Sequence, residues 1–283
     1  MDVVVGLGGA GGRIADLFKR YPEYEIYKLD VGLRGHRNFS FKKEKDMLGF
    51  EKQAIDRSEK LAGFFEDVSE DDTVLVVLAG GGSLPGVTLA VLEHIQDARV
   101  RILFVEPDVE FLSQKQIDNL SFTKGVLQEY SRSGLFETIY MISNTSLEAV
   151  IGDVPINSYN DELNDTIAST MAMVRFFENS EPVLDSRGES REMARIATFG
   201  ITDFEHPQLA NLMYPLSGTK DKTYYYGMSK DELETDGSLL RKIKLHTKSI
   251  PVDIGETLTF AVYETTYEKN MILCCLKSDK IQK

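Results

Sequence analysis

The sequence predicts an α/β fold: a Rossmann-like parallel sheet with helices on both faces, followed by a smaller α+β domain. Over about the first 150 of its 283 residues, short apolar runs alternate with stretches of helical periodicity. Parallel strands need crossover connections of this kind, and the resulting sheets are covered on both faces. Two apolar runs end in glycine-rich turns, VVVGLGG and VLVVLAGGG. Ligands of parallel α/β sheets bind beyond the carboxyl ends of the strands, where these turns lie.

Each element is assigned from its local pattern. Strands are predicted at 3–5, 25–31, 74–78, 100–105 and 137–143, and helices at 12–18, 44–66, 86–96 and 113–130. Apolar residues recur at helical spacing through 160–178, which predicts a central helix of about 27 Å. The tail is richer in tyrosine, threonine and β-branched residues. It predicts strands at 223–228, 241–248, 257–265 and 269–277 and a short helix at 229–240.

The composition excludes several classes of function. The net charge is −13 and the pI about 4.9, so no basic excess is available to bind nucleic acid directly. Cys274 and Cys275 are adjacent in a strand-like run, which is typical of buried thiols in a reducing compartment. The sequence shows no secretory signal and no apolar stretch long enough to span a membrane. We therefore expect a cytoplasmic protein with no membrane partner.

The N-terminal turn fits a phosphate-binding fingerprint. Gly6, Gly8 and Gly11 satisfy G-x-G-x-x-G directly after a strand, and Asp30 follows at the end of the next strand. In dinucleotide sites such glycines approach the pyrophosphate, and the acid binds a ribose hydroxyl. The alternative is a structural turn without a ligand. A dinucleotide site also leaves the second glycine run, 80–82, unexplained.

Five partial motifs follow one another along the chain. They are GLGGAGGR at 6–13, GGGSLPG at 80–86, ILFVEPD at 102–108, MISNTSL at 141–147 and SYNDELND at 158–165. Their order and spacing, from residue 3 to about 200, resemble those of the tubulin/FtsZ superfamily. The resemblance implies a nucleotide-binding domain at 1–158, a central connecting helix at 159–178, an acidic loop and following helix at 179–204, and a C-terminal α+β domain at 205–283.

The resemblance implies that GTP or GDP binds at the carboxyl edge of the sheet. Ser83 would contact a phosphate or Mg²⁺, and no metal site made by protein ligands alone is expected. Asn144 and Asp165 would read the guanine edge, and Tyr159 would stack on the base; the alternatives are a solvated Asp165 and a Tyr159 in the core. The residues implied around the phosphates are Gly8, Gly9, Ala10, Gly11, Gly12, Arg13, Gly80, Gly81, Gly82, Ser83 and Gly86.

Two features of the sequence bear on hydrolysis. Leu84 is bulky beside a phosphate, and Pro85 has no amide hydrogen to donate. After the central helix, NSEPVLD supplies Glu181 and Asp185. In the family an acidic loop here completes GTP hydrolysis in the neighbouring subunit; ordinary acids at a helix end are the alternative. Such contacts are heterologous and build head-to-tail filaments, so the resemblance implies a self-assembling GTPase in a bacterial or virus-infected host cytoplasm.

Three functions remain open on the sequence. The first is a GTP-binding protein that assembles into filaments and hydrolyses GTP. The second is a degenerate tubulin-like structural protein without GTPase activity, which Leu84 and Pro85 favour. The third is an NAD-binding Rossmann oxidoreductase, which the glycine fingerprint and Asp30 favour, although the four histidines lie in no catalytic motif.

Overall fold

A computed structural model of the chain describes residues 2–186, 193–204, 211–267 and 270–283. The strands are β1 (Asp2–Leu7), β2 (Tyr24–Val31), β3 (Asn38–Phe41), β4 (Thr73–Ala79), β5 (Arg99–Glu106), β6 (Thr138–Ser143), β7 (Leu184–Asp185), β8 (Ile196–Thr202), β9 (Asn211–Leu212), β10 (Thr219–Ser229), β11 (Thr257–Thr265) and β12 (Met271–Ser278). The helices are α1 (Gly8–Leu17), α2 (Met47–Ile55), α3 (Ser58–Phe64), α4 (Thr88–Ile95), α5 (Gln114–Ser133), α6 (Asn144–Ile151), α7 (Tyr159–Asn179), α8 (Lys230–Thr235) and α9 (Leu239–Ser249).

The strands form one mixed sheet in the order β3-β2-β1-β4-β5-β6-β8-β12-β10-β11-β7, with β9 paired to β8. From β3 to β6 all neighbours are parallel. Leu7 at the end of β1 pairs with Leu29 of β2 and Leu78 of β4. The carboxyl ends of these strands therefore share one edge of the sheet, and both glycine turns lie there. This confirms the predicted α/β fold.

Helices cover both faces of the sheet, because side chains alternate along each strand. On β1, Val3 and Val5 are buried in a cluster with residues of α2, α3, α4 and α5. Val4, between them, is buried in a second cluster with residues of α1, α6 and α7. The parallel part of the sheet is thus the middle layer of three.

The sheet continues into the C-terminal part through β8, which pairs in parallel with β6 at Ile139 and Ile196. β12 is antiparallel to β8 and β10, and β11 is parallel to β10. Ile196 belongs to the cluster on the α2–α5 face and pairs with Ser278. Alternate β12 residues, including Cys274, share that face and pack against Leu239 and Ile243 of α9. Helix α9 therefore covers the same face of the sheet as α2 to α5.

One prediction in the C-terminal half is wrong. Residues 241–248 form part of helix α9 and not a strand. Their alternating charged and apolar residues suggested a strand, but Leu239, Ile243 and His246 are the buried positions, and that spacing is helical. In the described part of 179–204, α7 is followed by β7 and β8; the helix predicted to follow the acidic loop stays a prediction, because residues 187–192 lie outside the described residues. The domain boundaries themselves stay predictions.

Three smaller differences occur in the N-terminal half. The helix predicted at 44–66 is two helices, and Arg57 lies at the break between them. The Arg57 guanidinium donates to the Ser40 carbonyl oxygen at 2.8 Å and lies 4.3 Å from the centre of the Phe39 ring. The Arg57 backbone itself lies outside the helical region, at φ −120° and ψ 22°, and interrupts the helix there. Strand β3, which carries both partners, and helix α6 were not predicted.

Candidate functional site

The first glycine turn leads directly from β1 into α1. Gly8 adopts φ +73°, which favours glycine, and α1 begins there without a side-chain cap. The first amides of a helix have no intrahelical partners, so those of Gly8, Gly9 and Ala10 face the edge of the sheet. A Cβ on Gly11 would lie 2.3 Å from the Val77 carbonyl oxygen. Gly11 therefore allows α1 to pack closely on β4.

Two charged side chains flank this turn. A Cβ on Gly9 would lie 3.6 Å from Arg13 Nη1 and 3.9 Å from Asp30 Oδ2. Asp30 also accepts a hydrogen bond from the Val31 amide at 2.7 Å. Arg13 is exposed, while Gly12 faces the aliphatic part of a lysine on β2. The predicted residues 8–13, Arg13 among them, thus lie together at the first turn, and the Asp30 carboxylate lies beside them.

The second glycine turn follows β4. Gly80 donates its amide to Val105 of β5 at 2.9 Å, and a Cβ on Gly80 would lie 2.2 Å from Leu120, so this glycine is a packing residue. Gly81 adopts φ +87°. Asn119 of α5 donates to the carbonyl oxygens of Gly81 and Gly82, at 3.3 and 3.1 Å. The amides of Gly81, Gly82 and Ser83 donate to no acceptor among the residues that the structure describes.

Gly86 differs from the other predicted phosphate residues. Its amide donates to the Ser83 carbonyl oxygen at 3.2 Å, and a Cβ on it would lie 2.4 Å from the Met47 carbonyl oxygen. Its role in the structure is the close packing of α2 on the 3₁₀ turn Leu84–Val87. The donors of the second turn are therefore at 81–83 and not at 86.

Leu84 lies between the two turns. Its side chain is only 7 % exposed, and its Cδ2 atom would lie 3.5 Å from a Cβ on Gly8. Pro85, which cannot donate, is buried beside it. The space between the two amide-rich turns is therefore bounded on one side by apolar side chains.

One of the residues predicted to bind a base, Asp165, lies next to α1. A cavity of about 500 Å³ between α1 and the start of α7 is lined by Arg13, Asp16, Leu17, Asp161, Glu162, Asn164 and Asp165. Asp165 is not a free carboxylate, because Arg20 donates to its Oδ1 atom at 2.6 Å. Guanine recognition by Asp165 would have to compete with this ion pair, which is exposed and therefore weak.

Tyr159 and Asn144 lie beyond β5 and β6. The Tyr159 hydroxyl donates to Glu148 of α6 at 3.3 Å, and its ring packs at the edge of the α1–α6–α7 cluster. Burial, and then the Glu148 carboxylate, raise the pKa of Tyr159. Asn144 is the first residue of α6, half-buried at the carboxyl end of β6. Both residues lie on the same edge as the glycine turns.

Glu181 and Asp185 lie at the opposite end of the fold. Helix α7 has 21 residues and so separates them from Tyr159 by about 30 Å. Glu181 is exposed just beyond the helix. Asp185 lies in the edge strand β7, where it pairs with Ala261 of β11. The predicted acidic loop is therefore a loop only in its first half.

The structure also reveals contacts that the sequence did not predict. Asn119, Arg20 and Glu148 each form a hydrogen bond with a predicted site residue. They lie on other elements, and no sequence motif includes them. Lys115 donates to the Lys45 carbonyl oxygen at 2.6 Å. Within the described ranges there is no cluster of three or more metal-ligating side chains and no helix long and apolar enough to cross a membrane.

Comparison with known proteins finds similarity in structure only. No protein-family profile and no curated protein matches the sequence. The FtsZ dimer of M. jannaschii matches at TM-score 0.70 and 14% identity, over 98% of this chain and 88% of that one. CetZ2 of Haloferax volcanii, in a GTPgS-bound protofilament, matches at 0.74 and 12%, over 97% and 92%. TubZ of Bacillus thuringiensis serovar israelensis, in GDP-form protofilaments, matches at 0.74 and 14%, over 98% and 87%.

These matches cover nearly the whole chain and not only its Rossmann-like half. They include the central helix and the C-terminal strands. Those strands continue the sheet of the N-terminal half. The chain therefore has the fold of the tubulin/FtsZ superfamily.

Proposed function

We propose that this protein binds GTP and GDP at the shared edge of β1 and β4 and assembles head to tail into filaments. The observation that carries the proposal is the pairing of two amide-rich turns on neighbouring strands, whose amides at 8–10 and 81–83 donate to no acceptor in the described part of the chain. Amides and a helix N-terminus bind phosphate without requiring a basic surface, which suits a chain of net charge −13. The solved structures of similar fold include nucleotide-bound protofilaments.

The proposal assigns roles to residues on either side of the turns. Arg13 lies close enough to Gly9 to add a positive charge beside the phosphates. Ser83 does not use its side chain to cap the following turn, so its hydroxyl can contact a phosphate or an Mg²⁺ ion that the nucleotide brings. The cavity between α1 and α7, which Asp165 lines, would take the base; Asn144 and Tyr159 would approach it from the carboxyl ends of β5 and β6.

Hydrolysis in this proposal is completed between subunits. Glu181 and Asp185 lie about one α7 length from the glycine turns, so they can act only on a nucleotide held by the next subunit. Their carboxylates would orient or activate the attacking water. A contact that joins opposite ends of identical subunits does not close and therefore builds a filament.

A matched pair of glycine variants tests nucleotide binding. Gly81→Ala and Gly152→Ala both place a side chain at positive φ, at +87° and +79°, and such backbone conformations cost about 1–3 kcal/mol for a residue other than glycine. Only Gly81 lies in the proposed site. Calorimetry with GTP, GDP, ATP and NADH should show selective guanine-nucleotide binding by the wild type and Gly152→Ala, and none by Gly81→Ala. Equal affinities of the two variants for GTP would refute the site.

Mixing tests hydrolysis in trans. Glu181→Gln/Asp185→Asn should bind GTP and sediment as filaments but release no phosphate. Gly81→Ala should release none because it binds no GTP. In a mixture, the intact acids of Gly81→Ala subunits would meet GTP held by the other variant, so phosphate release should return. A mixture as inactive as its components would contradict catalysis between subunits.

Leu84 favours a second candidate, a tubulin-like structural protein without GTPase activity. Its buried side chain occupies part of the space between the turns. The same calorimetry separates the candidates, because a protein of this second kind would bind no nucleotide or would bind GTP without releasing phosphate. Selective binding of NADH would instead support an oxidoreductase.

A further inference from the structure

Helix α9 presents an unusual surface for so acidic a chain. Its inner face is buried through Leu239, Ile243 and His246. Its outer face, here called the basic helix face, consists of Leu240, Arg241, Lys244, Leu245 and Lys248. Leu240 and Leu245 are 47 % and 62 % exposed. The three cations of this face form no ion pair with any described residue.

A surface that carries acidic instead of basic residues lies between α2 and α5. It is a groove of about 700 Å³, here called the acidic groove. Its apolar side chains include Leu48 and Phe122, which are 74 % and 63 % exposed. Its rim carries Asp46, Glu51 and Asp118. None of these carboxylates forms an ion pair within the described part of the chain.

The two surfaces are complementary in both charge and polarity. Each combines exposed apolar side chains with charges of one sign, and exposed apolar groups of this kind typically mark interaction sites. Both lie on the same face of the sheet, because α9 shares that face with α2 to α5. We propose that the basic helix face of one molecule docks in the acidic groove of a second copy of this chain.

The position of the two surfaces on one face of the sheet allows a two-fold symmetric contact. Two molecules placed face to face about a two-fold axis make the contact twice, since each donates its helix and receives its partner's. This pairing is lateral: it uses a face of the sheet, whereas the head-to-tail contact uses the ends of the strands. The two contacts can therefore coexist, and the lateral one does not depend on nucleotide binding.

A second copy fits better than a lipid surface. The apolar groups of the basic helix face are two leucines flanking the cations, and the same chain carries a groove with apolar residues and three carboxylates that form no ion pair with any described residue. A negatively charged membrane would attract the three cations of α9 but would repel the remainder of a chain with net charge −13.

Sedimentation equilibrium without nucleotide tests the proposal independently of GTP binding. The wild type should form a dimer that salt weakens, because screening reduces attraction between exposed charges. Leu245→Asp and Phe122→Asp should each weaken dimerisation at least tenfold, which corresponds to about 1.4 kcal/mol. Ile156→Asp is the matched control: it is 91 % exposed and lies outside both surfaces, and it should leave dimerisation unchanged. The variants should retain the wild-type circular dichroism spectrum.

A mixture identifies the contacting surfaces. In a dimer of Leu245→Asp with Phe122→Asp, both substitutions meet at one contact and the other contact is intact. The mixture should therefore dimerise more tightly than either variant alone. A mixture no tighter than its components would overturn the pairing of helix with groove.

Disulfide trapping gives a positive signal. Lys244→Cys and Glu51→Cys molecules, mixed under oxidation, should form a covalent heterodimer. The native Cys274 and Cys275 are buried, and burial raises their pKa values to about 12 and about 11, so neither thiol should compete. No heterodimer, or a monomeric wild type that binds phosphatidylserine vesicles in a Leu245-dependent manner, would overturn the proposal.

Discussion

Leu84→Ala is the substitution that best separates a working nucleotide site from a degenerate one. The leucine side chain is buried between the two glycine turns, with Cδ2 placed 3.5 Å from a Cβ on Gly8. If GTP binds here, the side chain must move aside to admit a phosphate. If the site is degenerate, the side chain is simply part of the core.

The expected magnitudes follow from this position. Leucine-to-alanine changes in a core cost about 2–5 kcal/mol, and we expect the lower end because the turns can relax around the cavity. Moving a packed side chain off its rotamer costs about 0.5–1.5 kcal/mol. Removing the side chain abolishes that cost, so GTP affinity should rise about two- to twelvefold. A less stable protein should thus bind GTP more tightly.

The assay combines urea unfolding with calorimetry. Leu61→Ala is the control, because Leu61 is fully buried in the same core cluster but lies on α3, away from the turns. It should destabilise the protein at least as much and leave GTP affinity unchanged. If Leu84→Ala binds GTP no better than the wild type, the leucine does not obstruct the phosphates, and the argument from its position fails.

Three further predictions address packing, GTP affinity and the dependence of stability on pH. Gly11→Ala should lower the free energy of unfolding by about 1–3 kcal/mol, measured in urea, because its Cβ would lie 2.3 Å from the Val77 carbonyl oxygen; an unchanged midpoint would contradict that packing. Asn119→Ala should weaken GTP binding about fivefold by calorimetry, since two hydrogen bonds to the second turn worth about 1 kcal/mol in total are lost. Burial lowers the pKa of His246, against an opposing effect of Asp203, below its usual 6.5. Between the folded and unfolded pKa values the unfolded chain binds more protons, so stability should fall as pH drops below about 6.5; His246→Gln should flatten that decline in urea titrations, and an unaltered pH profile would exclude the histidine as its source.

Strands of the parallel half were predictable because their patterns are local. Continuous apolar runs such as 74–78 are buried on both faces, and the sequence shows this without any knowledge of partners. Helix α7 was predictable for the same reason, since its apolar periodicity persists over 21 residues. By contrast, β7 is only two residues long and exists because Val183 and Ser186 donate to β11. No local pattern identifies such an edge strand.

The candidate site, too, was only partly predictable from the sequence. The glycine turns were found from the sequence because positive φ and close packing require glycine at particular spacings. The motif does not distinguish between the functions of its glycines, however. Gly11, Gly80 and Gly86 make space for neighbouring atoms, whereas Gly8 and Gly81 provide the unusual backbone conformation. That distinction depends on Val77, Leu120 and Met47, and only the folded chain brings them close.

In the function proposed above, helix α7 would make hydrolysis depend on polymerisation. One end packs against α1, which begins at the first glycine turn, and the other end leads to Glu181 and then to β7, which pairs with β11. The helix is buried through residues along its length, including Leu163, Met171 and Phe177. It cannot bend so that Glu181 reaches a nucleotide in the same molecule, because bending would expose this apolar face to water. If the acidic residues act on a phosphate, it is the neighbour's. Phosphate release should therefore rise more steeply than linearly with protein concentration, and a linear rise would show that one subunit suffices.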